Sequence, residues 1–164
     1  MNPVIALEGL TVAFPRYGGE PARVLKGIDL ALAPGEVVGV VGESGSGKTM
    51  LARAIMRLVP RPGRIEAGRI SFDGRDMGQL DGEALRRLRG RDMAMIIANP
   101  RGELDPLETV GRQIGNVLRH HLTLDKAAIR ARTLELLRQV SIPDPERRLD
   151  AYPHELSGGM AQRV

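Results

Sequence analysis

A chain of 164 residues is long enough for a domain with a buried core, and a hydrophobic fraction of 42% fits a globular protein. No apolar run is long enough to span a bilayer, and the absence of cysteine excludes disulfides and thiolate metal sites. The net charge of +4 and pI of about 10.1 raise nucleic acid as a partner, but the charge is spread along the chain. Aromatics are only 2%, so stacking platforms for bases are nearly absent and no nucleic-acid partner is expected. Residues 1–10 have neither the cationic start nor the long apolar stretch of a secretory signal, so a cytoplasmic chain is expected.

In chain order, residues 4–14 alternate loosely and predict one or two strands, and residues 15–21, with Gly18 and Gly19, read as a loop. Residues 28–33 predict another strand before the turn dipeptide Pro34-Gly35. Residues 37–41 are a near-continuous β-branched run, the mark of a strand buried on both faces. Residues 42–47 break it, and Leu51, Ile55 and Leu58 then recur at helical spacing over 49–58. Pro60, Pro62 and Gly63 stop that helix. A short strand over 69–72, the turn Asp73-Gly74 and a short helix over 82–88 follow. Residues 93–97 predict a second buried, parallel-type strand, and 99–106 a loop. Helices are expected over 110–118 and 126–140, and prolines 143, 145 and 153 punctuate the approach to Leu156. The order implies a mixed α/β core with an all-helical subdomain.

The residues Gly42, Glu43, Ser44, Gly45, Ser46, Gly47, Lys48 and Thr49 match the phosphate-binding pattern G-x-x-x-x-G-K-[ST]. Glycines let the backbone curl until successive N–H groups face one anion, and the following helix turns its positive end to the same point. Lys48 places a cation at the β- and γ-phosphates of ATP, and the Thr49 hydroxyl is placed to ligate Mg²⁺. The plain alternative is a Gly/Ser-rich turn before Lys-Thr, and the strand before and helix after argue against it.

The last stretch carries a second motif. Leu156, Ser157, Gly158, Gly159 and Met160, followed by Gln162, Arg163 and Val164, resemble the signature sequence of ABC ATPases, in which a serine and two glycines head a helix. The residues 43–48, Leu-Arg-Arg-Leu-Arg-Gly-Arg at 85–91, Thr-Val-Gly-Arg-Gln-Ile at 109–114 and Tyr-Pro-His-Glu-Leu-Ser-Gly-Gly-Met at 152–160 resemble the dipeptide, oligopeptide and nickel importer ATPases in particular. The likeness runs from about Val4 to Val164. It implies an α/β fold: a P-loop NTPase core with an antiparallel β part at the N-terminus over about 1–98, a helical subdomain over about 99–156, and the start of a signature helix over 157–164. It implies an ATP-binding subunit that powers uptake of peptides or a similar small solute, at the cytoplasmic side of the inner membrane. The implied partners are a second ATPase subunit, a transmembrane permease and, indirectly, a solute-binding protein. It further implies that Ser157, Gly158, Gly159 and Met160 meet the nucleotide held by the other subunit, and that Phe14 stacks on adenine. Tyr17 is the nearby alternative for the adenine, and ordinary β-packing is the other reading of both.

Two departures from the family stand out. The family ends its second buried strand in a glutamine that contacts Mg²⁺ and the attacking water, and Ala98, which can neither donate nor accept through its side chain, takes that place. Asn99 is adjacent but points to the other side of a strand. The family's further strand, with an aspartate and a catalytic glutamate at its end, and its later histidine have no counterpart up to Val164. An N-terminal fragment is therefore expected, with the C-terminal part of the core sheet missing, no catalytic residue within these residues, and no hydrolysis by the chain alone.

The adjacent His120 and His121 read as a solvated helix face, the methionines at 50, 56, 93 and 95 as core, and Asp73, Asp76 and Asp81 as turn residues. A non-transport ABC ATPase acting on DNA or ribosomes is a rival, although no sustained heptad is present between the motifs. A P-loop kinase would leave the Ser157-Gly158-Gly159 run unexplained. A nucleotide-binding module without catalysis is the rival of a different class.

Overall fold

The computed structural model describes residues 2–98 and 102–164. The chain divides into two compact units, Met1–Arg89 and Gly90–Val164.

The first unit is built on a long hairpin. Strand β1 (Ile5–Arg16) pairs antiparallel with β2 (Gly19–Leu32), in a register running from Ile5 opposite Leu32 to Arg16 opposite Gly19. The turn between them is Tyr17-Gly18, with Gly18 at φ +69°, a left-handed conformation that glycine adopts without strain. Strand β3 (Arg64–Phe72) joins the other edge of β1, and the two-residue β4 (Arg75–Asp76) completes the antiparallel order β2-β1-β3-β4. The sheet buries Leu7, Leu10, Val12, Leu25 and Ile70, each such side chain contributing about 1.5–3 kcal/mol when removed from water. Gly68 sits where β3 passes closest to β1: a Cβ there would lie 2.5 Å from the Gly9 carbonyl.

Between β2 and β3 lies helix α1 (Lys48–Ile55), and α2 (Gly82–Leu88) follows β4. Asp81 caps α2, its carboxylate accepting from the Ala84 N–H at 2.7 Å. Arg89 then reaches back to the end of α1. Its guanidinium donates to the carbonyls of Met56 and Arg57, at 2.9 Å each. These are C-terminal carbonyls that a helix cannot satisfy internally. Burial, with Arg57 nearby, lowers the pKa of Arg89 from its ordinary value.

Two expected strands are absent among the described residues. Residues 37–41 and 93–97 form no ladder. Val37 is 95% exposed, Val41 94% and Ile96 87%, although Met93 is buried. The expectation of strands rests on β-branched composition, but a strand is a relation between two segments. Residues 37–41 pair with no described segment, and in 93–97 Met93 alone makes an isolated bridge, its carbonyl accepting from the Gly90 N–H at 2.7 Å. The hairpin differs in the opposite direction: residues expected as a loop over 15–21 mostly continue the two strands.

The second unit is helical. Helix α3 (Val110–His121) is capped by Thr109, whose hydroxyl accepts from the Arg112 N–H at 3.3 Å. Helix α4 (Lys126–Gln139) is capped by Asp125, which accepts from the Ala128 N–H at 2.7 Å. Gly115 brings the two helices together, since a Cβ there would stand 3.3 Å from Ile129. The short α5 (Pro145–Arg148) and α6 (Gly158–Arg163) complete the unit. Its core joins Val110, Leu137, Ile142, Leu149, Leu156, Met160 and Ala161.

Candidate phosphate loop and signature turn

The glycines of residues 42–49 are used differently. Gly45 and Gly47 have φ of +84° and +98°, values a side chain tolerates poorly. At Gly42 a Cβ would lie 2.8 Å from the Ser46 Oγ, a contact that the serine could relieve by turning its hydroxyl away. Gly47 is required twice, because a Cβ would also stand 3.0 Å from Leu25 Cδ2 and 3.3 Å from the Val24 carbonyl. The loop is therefore seated on β2, and Gly47 is the residue from which α1 starts. The Ser46 N–H donates to the Glu43 carbonyl at 3.2 Å and closes the curl.

No side chain caps α1, so its first N–H groups and its positive end are left for an anion. The Lys48 ammonium folds over the loop. It donates to the carbonyls of Gly42 at 2.8 Å and Glu43 at 2.6 Å, with Ser46 Oγ at 3.4 Å. Thr49 is exposed on the first turn, and its hydroxyl is a hard oxygen of the kind Mg²⁺ takes. Ser44 is also exposed in the loop.

Phe14 is half-buried on β1, and its ring edge occupies the space over Gly63, where a Cβ would lie 2.5 Å from Phe14 Cζ. Tyr17 is fully exposed at the hairpin tip.

In the second unit, the approach to the signature motif is a tight turn over Pro153–Glu155. The Tyr152 N–H donates to the Glu155 carboxylate at 2.7 Å, and the rings of Tyr152 and His154 stack 5.7 Å apart. Ser157 caps α6, accepting from the Met160 N–H at 3.3 Å. Leu156, Met160 and Ala161 are buried, and this apolar face fixes the helix. Gly158 and Gly159 lie on the other face, where a Cβ would meet nothing within 4 Å.

Two contacts here escape a sequence reading. Gln162 donates to the Ile97 carbonyl at 3.0 Å. Arg163 donates to the carbonyls of Ser141 at 2.7 Å and Val140 at 3.3 Å, just beyond the end of α4. A cation at a helix C-terminus is the general signal for the second, as for Arg89, but its partner lies far off in sequence. Ala98 is an exposed bend, and Asn99, Pro100 and Arg101 lie outside the described residues.

An antiparallel sheet with helices, carrying a glycine loop that opens the positive end of a helix, defines a P-loop nucleotide-binding domain of the ATP-binding-cassette kind. The ABC transporter pattern matches residues 25–164, and the chain belongs to that family. It is 49% identical over 164 residues, 99% of its length, to the peptidoglycan transport ATP-binding protein of Agrobacterium fabrum, covering 30% of that protein. It is 49% identical over 144 residues, 88% of its length, to the dipeptide transport ATP-binding protein of Haemophilus influenzae, covering 44% of it. The oligopeptide transport ATP-binding protein of Bacillus subtilis is 41% identical over 98% of the chain, which covers 45% of that relative. The chain thus spans between about a third and a half of the length of these relatives. Among solved structures, the dimeric bacterial ABC transporter cassette MJ0796 superposes with TM-score 0.83 at 27% identity, over 97% of this chain and 66% of that one. The post-hydrolysis dimer of the same cassette, bound to ADP and Pi, gives 0.79 at 24% identity, over 98% of this chain and 68% of that one. No helix among the described residues is long and apolar enough to cross a membrane.

Proposed function

We propose that this chain is the ATP-binding part of an importer subunit that couples ATP binding and hydrolysis to uptake of peptides or a similar small solute. The observation that carries the reading is the curled loop over residues 42–49, with Lys48 held across its carbonyls at the open end of α1. In this reading the loop N–H groups and Lys48 bind the β- and γ-phosphates, and Thr49 ligates Mg²⁺. Mg²⁺ would neutralise phosphate charge there. The kinship to peptide-transport ATP-binding proteins supports the choice of solute.

Ser157, Gly158 and Gly159 contact the ATP of a second ATPase subunit, and Met160, buried with its N–H on Ser157, anchors them instead of touching the nucleotide. Support comes from the two glycines, which no contact inside this chain requires. The assembled protein works peripherally at the cytoplasmic side of the inner membrane, with a permease and a solute-binding protein. Phe14 as the adenine platform remains part of the proposal. Its packing over Gly63 leaves only part of the ring for a base. The second reading, a nucleotide-binding module without catalysis, rests on Ala98, whose side chain offers no oxygen to Mg²⁺ or water.

The test is a titration of the 164-residue chain with Mg-ATP, followed by phosphate release. The expected result is saturable ATP binding with no turnover above background, since no residue of the loop or the signature turn is proposed to activate water. A folded chain that fails to bind ATP refutes the site. Steady turnover by the pure chain refutes its inactivity.

A further inference from the structure

The helical unit contains a hollow of about 490 Å³ whose walls come from α3, α4 and the turn at Leu149-Asp150. It is separate from the phosphate loop and the signature turn. Its floor is apolar, formed by the buried Ile129 and Leu149. Its rim is cationic: α3 contributes Arg112 and Arg119, and α4 contributes Lys126 and Arg130. Asp150 is the one carboxylate in the lining.

Two features make this rim costly on its own. Lys126 and Arg130 stand four apart on one helix face, a like-charge spacing that destabilises a helix by about 0.2–0.5 kcal/mol. Lys126 is also the first residue of α4, where the helix dipole disfavours a cation. Neither has an ion-pair partner among the described residues, and both are exposed. Arg112 pairs with Glu108 at 2.9 Å, and Arg119 turns its guanidinium to the Asn116 side-chain oxygen. An anion in the hollow would relieve the repulsion, and forked guanidinium groups fit the paired oxygens of phosphate or carboxylate.

We propose that this hollow binds a small molecule with two or more phosphate or carboxylate groups and a short apolar part that rests on Ile129 and Leu149. The site is independent of the nucleotide at the phosphate loop.

The experiment uses the chain carrying Lys48→Ala, so that the phosphate loop contributes little anion binding, with citrate and pyrophosphate as probes. Calorimetry should show one site for at least one probe with Kd below about 1 mM at low salt. Raising salt from about 50 to 200 mM should weaken it, as expected for exposed charges. Lys126→Gln with Arg130→Gln should weaken it at least about tenfold with a melt no lower than before, and Lys126→Arg should retain it. Binding unaffected by the double substitution overturns the proposal. So does the absence of binding by either probe at about 10 mM. An acidic peptide that binds where both probes fail also overturns it, since that marks a protein-docking face instead.

Discussion

Replacing Lys48 with alanine tests whether the loop holds phosphate through its cation or only through its backbone. The ammonium has three donors. Two are taken by the carbonyls of Gly42 and Glu43 at 2.8 and 2.6 Å, and the third points toward Ser46 Oγ at a weak 3.4 Å. An arriving phosphate oxygen therefore needs to displace only the weak contact, and the loop carbonyls stay satisfied. What alanine removes is one charge-assisted hydrogen bond, about 1.5–3 kcal/mol. ATP affinity should fall roughly ten- to 150-fold. AMP lacks the phosphates that Lys48 reaches, so its affinity should change by less than about twofold. Calorimetric titration of both variants with both nucleotides measures this, with a melt as control. Unchanged ATP affinity would falsify the reasoning. An equal loss for ATP and AMP would mean that the loop had collapsed and the contact arithmetic was wrong.

Gly47→Ala should destabilise the first unit by about 1–3 kcal/mol, because φ of +98° is strained for alanine and its Cβ would press on Leu25 at 3.0 Å; an unchanged melting temperature would refute this. Arg89→Met should lower the urea midpoint through loss of two bonds to the Met56 and Arg57 carbonyls, about 1.5–3 kcal/mol, and Arg89→Lys should recover only part, since an ammonium cannot fork; full recovery by lysine would show that charge alone matters. In a full-length importer subunit of the kind proposed, assembled with a permease, Ala98→Gln should raise turnover several-fold and shift ATP affinity by less than about twofold, because water positioning counts mainly in the transition state. An equal or lower rate would show that other groups already do that work.

The parts of the fold that could be read from sequence were those whose cause is local. The helix expected over 82–88 coincides with α2 because Asp81 caps it and the Arg89-Gly90 pair stops it. The curl over residues 42–47 was legible because its glycines answer to φ values of their own backbone. Residues 37–41 and 93–97 were not, because apolar β-branched composition reports a tendency to pair and says nothing about where the partner is. The hairpin was missed for the opposite reason: Gly18, Gly19 and Pro21 look like a long loop, yet one left-handed glycine suffices to turn the chain. Arg89 and Arg163 were invisible as clamps because the carbonyls they hold lie 32 or 33 and 22 or 23 residues away. Phe14 shows the limit from the other side, since its type fits a base platform and its packing over Gly63 emerges only in three dimensions.

Gly158 and Gly159 are both in helix α6, and neither has a φ that only glycine adopts. Alanine at either place would have room, and it would favour the helix, by less than the about 0.8–1.0 kcal/mol of an interior position because these are its first two residues. A selection for folded protein should therefore favour alanine at these two positions, and on the proposed contact with a second subunit's ATP a selection for uptake should reject it. The two screens would rank the same substitutions in opposite order. At Leu156, Met160 and Ala161, whose side chains fill the core, they would agree. The point where the rankings part would mark, within one turn of helix, the line between what this chain needs for itself and what the proposed contact asks of it.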